Sequence, residues 1–237
     1  MWPTTRTLCV HRFGWDDSES LNAMNIDAIQ QAYDIVARSY AEQFADELTH
    51  KPLDRGMLRE FASLVGSAGK VCDIGCGHGR TTAFLQGLGV DVIGIDLSTA
   101  MLEAARDMNP GVSFRLGNAL SLDMADDSLA GTIAFYSIVH LTNEDVDRFL
   151  SEAARVLQPG GLLLLAFHTG SDEVHIDEFL GHSVSMDFRF FVVEDIQRTL
   201  ESSGFCNIEA TVRDPYPDVE YPSRRAYVMA RTPSHDL

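Results

Sequence analysis

The chain has 237 residues, enough for one α/β domain with additions or at most two small domains. Apolar residues make up 45% of it, which supplies a packed core and excludes wholesale disorder. With 18 basic against 35 acidic residues the net charge is −17; such a field repels phosphate backbones and anionic lipid surfaces, and Arg224-Arg225 is too small a basic patch to reverse it. Neither a nucleic acid nor a membrane is therefore expected as partner. Cys9, Cys72, Cys76 and Cys206 form no C-x-x-C pair, so zinc and dithiol chemistry gain no support and a reduced, cytoplasmic setting fits best. No apolar run reaches membrane-spanning length, and the first twenty residues lack the apolar core of a secretory signal.

Residues 1–22 read as a flexible leader, with Met24 a second candidate start. From 25 to 48 apolar residues recur at 26, 29, 33, 36, 40 and 44, which predicts a helix. A second helix follows Pro52, over roughly 54–65. The pattern then alternates. "KVCDIG" is a short strand and "GRTTAFLQGLG" a helix closed by glycines. "VDVIGIDLS" is a strand, and "STAMLEAARDM" a helix with Ser98 as N-cap. "VSFRLGNA" and "GTIAFYSIVHL" are the third and fourth strands, and a helix capped by Thr142 or Asn143 runs to Pro159-Gly160-Gly161. "GLLLLAFHTG" has the unbroken apolar character of a strand buried on both faces. An irregular stretch over 171–190, a helix near 192–203 and strands near 205–213 and 225–232 complete the chain.

Strand–helix alternation from 70 to 168 implies βαβ units, hence a parallel sheet with helices on both faces. Ligands of such sheets bind beyond the carboxyl ends of the strands. The first of those ends reads "VCDIGCGHGRTTAF", with glycines at 75, 77 and 79. Glycines at a strand-to-helix turn permit positive φ and let a ligand lie against bare backbone. A dinucleotide fingerprint would need a glycine where Arg80 stands, and Asp73 in the strand end would repel a diphosphate while attracting a cation. Asp96, about twenty residues past the first glycine, is placed to accept both hydroxyls of a ribose. A nucleoside carrying a positive tail and no phosphates satisfies both acids, and S-adenosylmethionine is such a molecule.

At this point the sequence resembles the class I S-adenosylmethionine-dependent methyltransferases. "VCDIGCGHG" looks like their first motif, "VIGIDLSTAML" like the ribose motif and "RVLQPGGLLLLAFH" like the fifth. "GNALSL" is similar to the adenine-edge motif, with Asn118 where an acid is usual, and "LAGTIAFYSIVHL" to the fourth-strand motif, with Ala130-Gly131 where an acid is common. The resemblance implies a doubly wound, seven-stranded Rossmann-like sheet in the order 3-2-1-4-5-7-6 with the seventh strand antiparallel. It implies one methyltransferase domain over 23–237, made of a helical cap (23–66), a cofactor-binding core (70–168) and a substrate lid segment (169–191). Asp73 and the backbone of Gly75, Cys76 and Gly77 would hold the methionine part of the cofactor, and Asp96 its ribose. Leu97 and Met101 would pack the adenine, Asn118 and Ala119 would meet its edge, and Tyr33, Tyr40 and Tyr136 would close around the reacting centre. S-adenosylhomocysteine would be the product, and a small molecule methylated on oxygen or nitrogen the acceptor.

Other readings stand beside these. Tyr33 and Tyr40, seven apart on one helical face, also suit an ordinary core. A general base among the histidines points to His140 or His168, with His182 behind them. His168, His175, Asp177 and His182 include metal-ligand types, but their spacing matches no metal signature, so no metal is assigned. The loop "RDPYPDVEYPSRRAY" either edges the substrate pocket through Tyr216, Tyr221 and Arg224, or is a rigid surface loop with Arg225 paired to Glu220. A nicotinamide-dependent oxidoreductase, an aminopropyl transferase and a catalytically silent cofactor-binding partner are the rival functions. The oligomeric state is not encoded in these patterns.

Overall fold

The computed structural model describes residues 26–234. The leader expected over residues 1–22 lies outside them. Among the described residues six α-helices and nine strands follow in chain order. They begin with α1 (Ile26–Phe44), α2 (Pro52–Val65), β1 (Val71–Ile74), α3 (Arg80–Gly87), β2 (Val92–Asp96), α4 (Thr99–Met108) and β3 (Ser113–Leu116). The central part is β4 (Leu129–Phe135), α5 (Asn143–Val156) and β5 (Leu157–Thr169). The last part is β6 (Glu173–Phe179), β7 (His182–Arg189), α6 (Val193–Ser202), β8 (Cys206–Arg213) and β9 (Arg224–Arg231).

Seven strands form one sheet in the order β3-β2-β1-β4-β5-β9-β8. The first five run parallel, and β9 is antiparallel to both of its neighbours. Counting only the strands of this sheet, that is the order 3-2-1-4-5-7-6. Strand β5 shows why the fold takes this form. Leu163, Leu165 and Phe167 join one apolar cluster with Phe149 and Leu150 of α5 and Leu200 of α6. Leu162, Leu164 and Ala166 join another with Leu58 and Phe61 of α2 and Leu85 of α3. A strand with both faces covered needs apolar residues at every position, and its alternation sends them to opposite layers. Strand order reverses between β1 and β4, so their carboxyl ends, Gly75 and Tyr136, flank the crevice where ligands of this architecture bind.

Three sequence-based expectations need correction. The helix expected through residue 48 stops at Phe44, because Arg80 Nη1 donates to the Phe44 carbonyl (2.6 Å) and caps the helix end; a single 3₁₀ turn, Glu47–His50, follows. Helix α2 starts at Pro52, where proline's fixed φ and missing N–H suit the first turn, and it packs on the sheet instead of forming part of a cap. The stretch 171–190 is not irregular: β6 and β7 pair as an antiparallel hairpin outside the main sheet, closed by Leu180-Gly181, both at positive φ. That is the twist a two-residue hairpin requires. The hairpin packs Phe179, Val184 and Met186 against Ala32, Val36 and Ala37 of α1 and Met101 of α4 in a small third cluster. Helix α1 is tied to α4 as well, where Asp34 Oδ1 accepts from the Ser98 hydroxyl and from the Ala100 N–H (3.1 Å).

Candidate active site

The glycine turn forms the floor of a cavity at the β1 and β4 ends. At Gly75 φ is +71°, and a Cβ there would lie 2.4 Å from that of Ser137. At Gly77 φ is +54°, and a Cβ would meet no protein atom within 4 Å. The cavity takes the space that a side chain at Gly77 would fill, so a ligand can reach the backbone there. These two positions separate folding from binding. Gly75→Ala is expected to destabilise the chain by about 2–3 kcal/mol through strain plus the clash, read as a fall in melting temperature. Gly77→Ala should cost only about 1 kcal/mol of stability, yet weaken cofactor binding about tenfold or more by calorimetry. Equal stability losses with unchanged affinity would remove Gly77 from the binding surface.

Two carboxylates stand at the strand ends above this turn. Asp96 Oδ2 accepts from the Gly77 N–H (2.8 Å) and Oδ1 from the Ser98 N–H (2.9 Å). Each oxygen keeps a second lone pair for a ligand hydroxyl. Burial raises the Asp96 pKa, although the N–H groups of Ser98 and Gly77 act against it. Asp73 is 1% exposed, and its Oδ2 accepts from the Thr82 hydroxyl (2.6 Å). Burial pushes its pKa from 3.8 up to about 7. The structure brings together in one cavity Tyr33, Tyr40, Asp73, Gly75, Cys76 and Gly77. Asp96, Leu97, Met101, Asn118, Ala119 and Tyr136 line it too, so all twelve residues expected at the cofactor meet there. Asn118 Oδ1 accepts from the Leu120 N–H (2.9 Å), which fixes the side chain at the cavity edge.

The candidate bases occupy different places. His140 lines this first cavity, 5% exposed. Its Nδ1 lies 2.7 Å from the Asp187 carbonyl oxygen, which can only accept, so Nδ1 carries the proton. Nε2 therefore accepts from the Tyr33 hydroxyl (2.8 Å), and both ring nitrogens are engaged. Burial lowers the His140 pKa to about 4, leaving the ring neutral near pH 7. This histidine ties α1 to β7. His168 lies in a second cavity next to the first, stacked on Phe190, with Nδ1 bonded to the Ser223 hydroxyl (2.6 Å). Burial, followed by the Arg225 and Lys51 cations, lowers its pKa to about 3. His182 Nε2 is bonded to Ser39, and His175 pairs with Asp187 and Asp177. Among the described residues no group of three or more His, Cys, Asp and Glu side chains is gathered as for a metal ion.

Tyr136 separates the two cavities and lines both. Its φ is +60°, a strained conformation for a large side chain. The strain is held by its N–H bond to the Ala166 carbonyl (2.7 Å) and by its hydroxyl, bonded to Tyr227 (3.0 Å) and Asp54 (3.2 Å). Sequence reasoning missed much of the second cavity. Its wall includes Glu47, Lys51, Arg80 and Arg225, which come from three separate stretches of the chain. Tyr216, Tyr221 and Arg224, which one of the two readings of their loop put at a pocket edge, do not line it; their neighbour Arg225 does. Glu220, expected in a surface loop, has a fully buried side chain. It binds Arg213, Lys51 and Arg225.

A doubly wound sheet with a bare glycine turn, a buried acid beside it and a second acid on the next strand defines a nucleoside-cofactor site without a phosphate cradle. A family profile described as a methyltransferase domain matches residues 71–161. An O-methyltransferase, resE of Aspergillus sclerotiorum, is 32% identical over 187 residues, covering 74% of this chain and 70% of that protein. Methyltransferase GfsG of Streptomyces halstedii is 40% identical over 109 residues, 43% of this chain and 38% of that one. This chain spans about half the length of several further curated relatives. Among solved structures, phosphoethanolamine N-methyltransferase 2 of Haemonchus contortus with S-adenosylhomocysteine superposes with a TM-score of 0.65 at 17% identity, covering 91% of this chain and 61% of that one. A methyltransferase of Thermotoga maritima gives a TM-score of 0.61 at 21% identity, covering 86% and 99%. These structures share the fold. The chain belongs to the class I S-adenosylmethionine-dependent methyltransferases, and S-adenosylmethionine is its cofactor.

Proposed function

We propose that the protein transfers the methyl group to an oxygen or nitrogen of a small molecule held in the second cavity. One observation carries this reading. The second cavity, about 660 Å³ including its mouth, shares Tyr33, Tyr40, Arg80, Phe135 and Tyr136 with the cofactor cavity. S-adenosylmethionine supplies a methyl group already activated on a sulfonium, so alignment is the protein's main task. Asp96 is placed to fix the ribose, Asp73 to fix the amino-acid end, and Asn118 to present an acceptor and a donor to the adenine edge. Tyr33 and Tyr40 from α1 and the hairpin beyond them exclude water from the shared wall. His140 acts as a positioning residue, since its free lone pair is used by Tyr33. His168 is the remaining candidate base, because its Nε2 makes no hydrogen bond with the described residues.

The net charge of −17 supports a small acceptor over a nucleic acid. No helix among the described residues is long and apolar enough to cross a membrane. The test uses donor labelled in the methyl group, incubated with the protein and separately with bulk RNA, bulk protein and a low-mass metabolite extract. Label is expected in the low-mass fraction alone. Label in RNA or protein would overturn the small-molecule reading.

A further inference from the structure

The second cavity is where this acidic chain gathers buried positive charge. Lys51 and Arg225 are 4% and 2% exposed, and the Arg80 side chain is 19% exposed. All three line the cavity. Lys51 Nζ pairs with Glu47 and, at 3.0 Å, with Glu220. Arg80 Nη1 pairs with Glu47 (2.8 Å), while its Nε is buried without a hydrogen-bond partner. Arg225 Nη1 donates to the Tyr221 carbonyl (2.6 Å) and the Ser223 carbonyl. Its Nε, 3.6 Å from Glu220 Oε1, is also buried without a hydrogen-bond partner. Behind the wall Arg213 binds Glu220 and Asp54.

Four cations are thus joined to three carboxylates, Glu47, Glu220 and Asp54. Burial opposes ionisation of Glu47 and Glu220, yet the neighbouring cations hold both below the usual carboxylate range, Glu220 at about 2. Neutral His168 adds no charge. The cluster carries one positive charge in excess, with two buried N–H groups unsatisfied. Buried net charge is costly, and a bound monoanion relieves it. Phe44, Phe135, Val139, Phe179 and Phe188 give the wall an apolar side, with Tyr33, Tyr40 and Tyr136 beside it.

We propose that the acceptor is an organic acid, its carboxylate paired with Lys51 and Arg225 and its apolar or aromatic body lying among Phe44, Phe179 and Phe188. The inference rests on the small-molecule reading above. A carboxylate neutralises the excess charge, whereas a phosphate dianion over-neutralises it, so the choice between them is part of the test.

Calorimetry of the full chain, with and without S-adenosylhomocysteine, against 3-phenylpropanoate, 3-phenylpropanamide, phenethylamine and phenyl phosphate decides it. The acid should bind about tenfold or more tightly than the amide, and the amine not at all. Arg225→Gln and Lys51→Met should bring the acid down to the affinity of the amide, while the melting-temperature rise caused by S-adenosylhomocysteine persists and shows that the variants fold. If either variant fails to fold, the wild-type preference for acid over amide, and its decline with added salt, still decides. An amide bound as well as the acid, a preference for the amine or the phosphate, or no binding of the acid would overturn the proposal. Failure of the methyltransferase reading would show separately, as a wild-type melting temperature indifferent to S-adenosylhomocysteine.

Discussion

Replacing Asp96 by alanine should weaken binding of S-adenosylhomocysteine a few hundredfold. The carboxylate already anchors the Gly77 and Ser98 N–H groups, and its remaining lone pairs are the acceptors proposed for the ribose. Two hydrogen bonds to a charged group, at roughly 1.5–3 kcal/mol each, account for a loss of about 3–4 kcal/mol. The loss should appear without unfolding, because the variant also removes a buried carboxylate whose ionisation the fold resists. Ligand at about a hundredfold excess over its dissociation constant should add about 2.7 kcal/mol to the parent chain, roughly 5–10 °C in melting temperature. The variant at the same concentration should show almost none of that rise. An Asp96→Ala chain that still responds fully would place the ribose elsewhere.

The second large effect is a pH dependence set by Asp73. Its carboxyl titrates near 3.8 in an unfolded chain and near 7 in the folded one, because burial disfavours the charge. Between those values the folded form holds a proton that the unfolded form has released. The ligand-free chain therefore loses stability as pH rises through that window. Cofactor binding should run the other way, since an ammonium or sulfonium favours the ionised carboxylate. Affinity for S-adenosylmethionine should rise roughly tenfold between about pH 6 and about pH 8, with proton release on binding that is largest at the low end. Calorimetry in buffers of different ionisation enthalpy reads both quantities. Asp73→Asn should bind weakly at every pH and lose the slope. A flat profile in the parent chain would take Asp73 out of the contact.

Much of this site is legible in the sequence because its determinants are local. Asp96 ends its strand and Asp73 lies one residue before the end of its own, and the glycines lie within a few residues of the first acid. The caps are equally local: Ser98 accepts from the Met101 N–H (3.1 Å) and Thr142 from the Asp145 N–H (3.1 Å). What sequence reading misses is built from contacts between distant segments. The Asp54–Tyr227 bond spans 173 positions, and no spacing rule anticipates it. The same holds for Lys51 against Glu220 and for His140 against Tyr33. The β6–β7 hairpin is a different case. Its strands do alternate, with Val174 and Ile176 facing Phe188 and Met186. Leucine is a poor residue for positive φ, however, so Leu180-Gly181 lacks the Asn-Gly or Asp-Gly form that marks such turns. Charged residues on β6 hide the alternation further.

The third apolar cluster stands apart from the two that flank the sheet; among the three it is the one that joins α1 to the hairpin and Met101. Opening the cap therefore breaks that cluster, the Asp34 clamp and the His140 bridge while the sheet keeps its own core. If product leaves by that opening, its rate and the stability of the scaffold would be set by different residues. Substitutions at Val184, Met186 or Phe179 would then act on turnover or acceptor choice while leaving the two clusters that flank the sheet intact.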